Sequence, residues 1–284
     1  MTGPGASETG PGASEAGAGA DPGADWRLPL LYRDERLVAV YKPAGLLVHR
    51  SELDRDRDVA LQRVRDQLGG QWVYPVHRLD RPTAGVLLFA LDPEAASALA
   101  AAFREHRVGK RYQAVARGWL EAPGRVDRPL GAGRRGQGGP PQAAVTDYTP
   151  LAWTELPIPV SRYSTARYTR LELRPLTGRQ HQLRRHMKAL SHPIVGDTSH
   201  GDSAHNRLYR SYYGCRRLML VATGLAIPHP EGGEPLTITT GPDAELSRVL
   251  AAVGLTAAAE AGAAADPAPP SRGPVAEPGA PYRG

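Results

Sequence analysis

Thiol chemistry is almost absent from this chain: Cys215 is the single cysteine in 284 residues, so no disulfide can form within one copy. That usage fits a reducing cytoplasm. Cys215 lies in YYGCRRLML with no catalytic partner signature beside it, and reads as a small buried or half-buried thiol. No apolar run approaches the length that spans a bilayer. The first 25 residues lack both a basic n-region and an apolar h-region, and they contain no arginine. Neither a secretory signal nor a mitochondrial presequence is therefore expected. The Gly-rich stretch GAGRRGQGGPPQ (131–142) lacks the GK[ST] ending of a phosphate-binding loop, and no internal repeat is present.

What is there divides into three parts. Residues 1–25 and 258–284 are built from Ala, Gly, Pro and small polar residues. They bury too little apolar surface to offset chain entropy, so both are expected to be disordered tails. Residues 26–257 form the expected single domain. They carry 33 of the 35 Lys and Arg and 22 of the 29 Asp and Glu, a net +11 against +6 for the whole chain. Such a balance points to a polyanionic partner, with a merely well-solvated surface as the alternative.

Val-, Leu-, Tyr- and Thr-rich runs predict strands at 37–42, 84–91, 110–119, 166–173, 217–227 and 235–240. Helical periodicity marks 59–68, 93–107 (Asp92 as N-cap, Pro93 in the first turn) and 179–190. Strands outnumbering helices without one-for-one alternation predict an α+β fold on a mixed or antiparallel sheet.

Three clusters carry polar chemistry. In HRLDRPTAGVLLFAL (77–91), Asp80 sits on a loop anchored by an uncharged strand, a good support for a reactive carboxylate; an Asp capping a turn is the plainer alternative. In LTGRQHQLRRHM (176–187), the spacing places Gln180 and Arg184 on one helical face beside a Leu183/Met187/Leu190 stripe. Arg184 is then partly buried and demands a carboxylate or phosphate. His181 and His186 stand five apart, without the HExxH geometry, and no metal site is assigned. In GKRYQAVARGW (109–119), Tyr112 between basic neighbours suits a base taken out of its stack, or is simply a core tyrosine.

Together with KPAGLLVH (42–49) and HPIVGDTSHG (192–201), these clusters resemble, in order and spacing, the motifs of the RluA-type pseudouridine synthases over about residues 28–245. SELDRDRD (51–58) and GCRRLMLVATGLAIPHPEGGEPLTI (214–238) are most similar to members that modify a T-stem uridine of tRNA at position 65. Many members carry an N-terminal S4-like RNA-binding domain; here only 25 low-complexity residues precede the core, so the catalytic domain is expected to bind RNA alone.

The resemblance implies an RNA-modifying isomerase that needs no cofactor and no metal. It implies Asp80 as the catalytic carboxylate and Arg184 as its cationic partner. Tyr112 would pack on the flipped base, Arg78 would enter the space the base vacates, and Leu183 would line the pocket. Lys110, Arg111, Arg179, Arg185, Arg134 and Arg135 are candidate backbone contacts. The expected partner is RNA, most directly tRNA, and the enzyme is expected to be a cytoplasmic monomer without membrane association. Ribosomal RNA or an anticodon-arm uridine are alternative targets, and a non-catalytic RNA-binding protein is an alternative class. A sugar glycosidase would need a second carboxylate, which these motifs lack.

Overall fold

Strand β4 (Ala84–Ala90) is buried at every one of its seven positions, and the sheet extends to both sides of it. The computed structural model describes residues 26–50, 58–131 and 140–256. The expectations placed on both tails, on residues 51–57 and on Arg134 and Arg135 lie outside the described residues.

The other strands are β1 (Leu30–Arg33), β2 (Leu37–Lys42), β3 (Tyr74–Pro75), β5 (Gly109–Arg117), β6 (Gly124–Asp127), β7 (Val145–Leu156), β8 (Ala166–Pro175), β9 (Leu220–Pro228) and β10 (Pro235–Thr239). Their order is β1-β2-β4-β9-β5-β8-β7-β6, with β10 on β9 and β3 on β4. Every pairing is antiparallel except β4 with β9. The helices are α1 (Ala60–Gln67), α2 (Pro93–Arg104), α3 (Gln182–Ala189), α4 (Ser203–Tyr213) and α5 (Ala244–Ala252). The protein is thus α+β on a mixed, mainly antiparallel sheet, and no helix among the described residues is long and apolar enough to cross a membrane.

The parallel contact is short, joining Ala84 to Val221 and Gly85 to Ala222. It depends on Gly85, whose φ is +114° and where a Cβ would stand 2.1 Å from the Ala222 carbonyl oxygen. Only glycine meets both demands. The loop carrying Asp80 therefore enters the sheet at a point of closest backbone approach.

Helix α2 follows its sequence signals: the Asp92 carboxylate accepts from the Ala95 amide at 2.8 Å, Pro93 stands in the first turn, and Ala95, Leu99 and Ala102 are buried. They pack with Val86 and Leu88 of β4. Helix α3 departs from expectation. It begins at Gln182, not 179, so Gln180 does not share a helical face with Arg184. The cause is the buried Gln182 carboxamide. It accepts from the Arg179 amide at 3.0 Å and the Thr177 hydroxyl at 2.7 Å, and donates to the Val145 carbonyl at 2.9 Å. These bonds hold 177–181 as a turn, and His181 stands before the helix in the left-handed region at φ +52°.

Candidate active site

The buried α3 stripe holds Arg184 beneath the loop that precedes β4. Leu183 and Met187 pack with Leu171 and Leu173 of β8 and Leu220 of β9, with Leu190 at the edge. Arg184, on the same helix, is 4% exposed. Its Nε and Nη2 donate to the two oxygens of Asp197 at 2.7 and 2.9 Å, and its Nη1 donates to Asp80 Oδ2 at 3.1 Å. One guanidinium thus joins two carboxylates. The partner that the sequence demanded for Arg184 is Asp80, as expected, and also Asp197.

Asp197 is the more enclosed acid. Its Oδ1 also accepts from the Ser199 and His200 amides, both at 2.8 Å. Burial works to raise its pKa. The Arg184 hydrogen bonds and the two amides outweigh this and hold it below the ordinary range. Arg184 is likewise held above its ordinary value: burial opposes its charge, and Asp197 and then Asp80 restore it. The Asp197 loop reaches this place through Gly196, at φ +80°, where a Cβ would lie 1.9 Å from the Arg217 carbonyl oxygen.

The Asp80 loop is fastened from below. Lys42, fully buried at the end of β2, donates from Nζ to the carbonyls of Pro43 and Leu46 at 2.8 Å and of Arg81 at 3.2 Å. Burial, and then the charge of Arg217, pull this ammonium down to about 7, while Asp80 works the other way. Three carbonyl acceptors match the three N–H groups of the charged form. The Arg81 carbonyl also accepts from the Gly45 amide at 2.8 Å, and the Thr83 amide closes a turn on the Asp80 carbonyl at 3.0 Å. Upstream, His77 Nε2 accepts from the Leu88 amide at 3.0 Å and its ring stacks on Phe103. Burial, reinforced by Lys110, pulls His77 down to about 4, so the imidazole stays neutral and serves as an acceptor.

Above Asp80 opens a cavity of about 470 Å³, within the range of about 300–1,000 Å³ usual for small-molecule sites. Asp80, 23% exposed, faces it. Tyr112, paired with Leu173 across β5 and β8, lines it, as do Arg78, Leu183, Lys110 and Arg179. Burial, with the Asp80 charge second, raises the Tyr112 phenol well above its ordinary value, so it is neutral near pH 7. Arg78 is exposed at the rim. Lys110 turns its ammonium to the Thr177 carbonyl at 2.9 Å, and Arg179 Nε donates to the Ala143 carbonyl at 3.0 Å. Arg185 donates to the Gly131 carbonyl at 3.0 Å. Arg111 points elsewhere and does not line this cavity.

His181 and His186 part company. His186 is buried against the Thr146 hydroxyl and the Arg128 carbonyl, both at 3.0 Å. His181 lines the cavity, 3.9 Å from Asp80 through Nε2 and 2.9 Å from His200 Nε2 through Nδ1. Cys215 is 3% exposed, and burial raises its pKa, as a structural thiol requires.

A buried arginine clamping a cavity-facing aspartate, with a neutral tyrosine in the wall, coincides with a match of residues 36–189 to the family described as RNA pseudouridylate synthase. The chain belongs to this family. It is 50% identical over 235 residues to the tRNA pseudouridine synthase C of Salmonella typhi, covering 80% of this chain and 90% of that one. Identity to the Vibrio cholerae protein of the same name is 50% over 224 residues, covering 76% and 91%. The chain spans only 62% of the like-named Pectobacterium carotovorum protein, also 50% identical over 235 residues. Among solved structures, Human RNA Pseudouridylate Synthase Domain Containing 1 is similar at a TM-score of 0.61 and 28% identity, covering 84% of this chain and 99% of that one. Human RNA Pseudouridylate Synthase Domain Containing 4 gives 0.61 and 26%, covering 79% and 92%.

Within this pseudouridylate synthase, sequence reasoning left three contributors without a role. Asp197 stands in HPIVGD, and its signal was the burial of Arg184, whose five N–H groups need more acceptors than one carboxylate offers. Lys42 stands in the KPAG motif, where a lysine closing an otherwise apolar strand was the sign of burial. His200 had no signal, because only the fold brings it to His181.

Proposed function

We propose that this chain isomerises uridine to pseudouridine in tRNA, with the T-stem uridine at position 65 as its target. The observation that carries this reading is the Asp80–Arg184–Asp197 linkage at the floor of the cavity. It aims a buried guanidinium N–H at a half-enclosed carboxylate that faces the cavity. The relatives named tRNA pseudouridine synthase C support the choice of tRNA.

The reaction breaks the bond from ribose C1′ to N1 and joins C1′ to C5; C5 loses a proton and N1 gains one. The base first leaves its stack at a cost of a few kcal/mol, recovered in the pocket and on the backbone. Asp80 is the catalytic residue. Attack on C1′, addition to the base and removal of a ribose proton all use its ionised form. Arg184 holds it in place through its Nη1 hydrogen bond. Tyr112, neutral by burial, stacks on the uracil and stands where the C5 proton leaves. Leu183 closes the apolar wall, and Arg78 at the rim fills the gap in the RNA. Lys110 and Arg179 shape the wall and present positive charge to the backbone. All these residues belong to the unit over 26–257 and come from one copy, in keeping with a monomer acting in the cytoplasm.

Tritium release from tRNA labelled at uracil C5 tests the activity, and pseudouridine mapping of tRNA and rRNA from a deletion strain tests the target. Loss of pseudouridine at tRNA position 65 alone is the expected result. Loss at an rRNA or anticodon-arm position would replace the target, and no release from any RNA would overturn the enzymatic reading.

A further inference from the structure

A second groove, of about 500 Å³, opens directly behind the cavity wall and shares Lys110 and Pro175 with it. It runs over the start of β5 where that strand pairs with β9, and two of its lining residues, Gly109 and Gly224, carry no side chain. Gly109 faces Ala226 and Arg111 faces Gly224 across the two strands. No Asp or Glu lines it, whereas Lys110, Arg111, Arg174 and His106 do.

Gly224 is the informative residue. Its backbone is not in the left-handed region, so conformation does not require glycine there. Space favours it: a Cβ would stand 3.1 Å from Arg111 Nε and 3.4 Å from Arg111 Nη2, so the guanidinium would have to move aside. Glycine inside a strand weakens it, and commonly marks close approach by another group. Here it lets a guanidinium lie flat across the neighbouring strand. That guanidinium makes no hydrogen bond or ion pair among the described residues, whereas Arg174 is shared with Glu172 at 2.6 Å.

We propose that this groove carries the ribose–phosphate backbone flanking the target nucleotide, with Arg111 as its phosphate contact. This rests on the RNA-modifying reading above. A strand that turns one base into the cavity must continue past the wall, and Lys110 is the charged residue common to both spaces. Glycine at 109 and 224 leaves room for sugar and phosphate, and no Phe, Tyr or Trp lines the groove for a base to stack on. Lys110, Arg111 and Arg174, with no acid beside them in the lining, supply the charge complementary to phosphate.

The test uses the full chain and a C5-tritiated tRNA transcript, with kcat and KM measured across a salt series. Arg111→Ala should raise KM about tenfold at low salt and make the salt dependence shallower by about one phosphate contact, with kcat within about twofold. Gly224→Leu should raise KM by obstructing the groove while leaving the charge in place, and a thermal melt checks that it folds. If wild type releases tritium while Arg111→Ala keeps both KM and salt slope, the groove assignment fails and the enzymatic reading stands. If wild type releases none from any RNA, the enzymatic reading itself has failed.

Discussion

The two loops that meet at Arg184 hold the same functional group under opposite terms. The Asp197 carboxylate is 1% exposed, takes two guanidinium hydrogen bonds and accepts two backbone amides. The Asp80 carboxylate is 23% exposed, takes one guanidinium hydrogen bond and faces a cavity. Burial and four hydrogen bonds withhold Asp197 from a substrate; Asp80 retains most of its accepting capacity. The first acid is built into the fold, the second is left open to the cavity, and one arginine joins them.

The largest effect should come from breaking the chemical side alone. Asp80→Ala should lower turnover by about 10⁴-fold or more, with RNA affinity kept within about tenfold (~1.4 kcal/mol). Substantial tritium release by a clean preparation would sink the assignment. Asp197→Asn should behave in the reverse manner. Removing one partner of a buried pair costs about 3–5 kcal/mol, so the variant should melt much earlier and lose activity through instability; a denaturation midpoint equal to wild type would contradict the division of roles. Tyr112→Phe keeps the ring, and Tyr112→Ala removes both ring and hydroxyl. Stacking is worth about 1–3 kcal/mol per base, so the alanine variant should bind more weakly by roughly that amount and the phenylalanine variant should not. Equal RNA affinities for the two variants would remove the stacking role.

The smallest effect lies far from the cavity. There His229 Nε2 pairs with Asp34 Oδ2 at 2.8 Å, tying the β1–β2 turn to the β9–β10 hairpin. The Asp34 hydrogen bond raises the His229 pKa above 6.5, so its contribution is complete below 6.5 and is lost as pH rises through the folded value. Burial works to raise Asp34, but the Tyr32 and His229 hydrogen bonds bring it below 3.8, so its contribution is lost as pH falls through that lower value. Stability from this pair should therefore be greatest between pH 3.8 and 6.5. At this partly exposed place it should amount to under about 1 kcal/mol. His229→Gln should flatten the decline above that window in denaturant titrations, and an unchanged decline would assign it to another group.

Legibility followed chemistry. The six expected strands are those in which apolar residues dominate, and β4 could hardly be anything else. Strand β7, the longest at twelve residues, went unread because Asp147, Thr149 and Pro150 interrupt its pattern. The structure accommodates the proline at a register shift between Pro150 and Ala152. Helices α4 and α5 were passed over although Asp202 and Asp243 cap them. Their apolar positions make sense only against the core they share with Tyr168 and Val221. At the site, the meeting of Asp80 with Arg184 was legible because each sits in a dense motif. Gln180 was misplaced because a side-chain amide, invisible to periodicity, supplants the first helical turn. Asp197 carried too little local signal, since its value comes from a residue on another element.

The lone thiol has a practical consequence. Cys215 is sealed into the core that α4 and α5 share with the sheet, and the chain offers no other sulfhydryl to compete with it. An alkylating reagent therefore reaches it only when that side of the molecule opens. Its labelling rate is a built-in clock for opening of that core, needing no engineered probe and read against a background of zero.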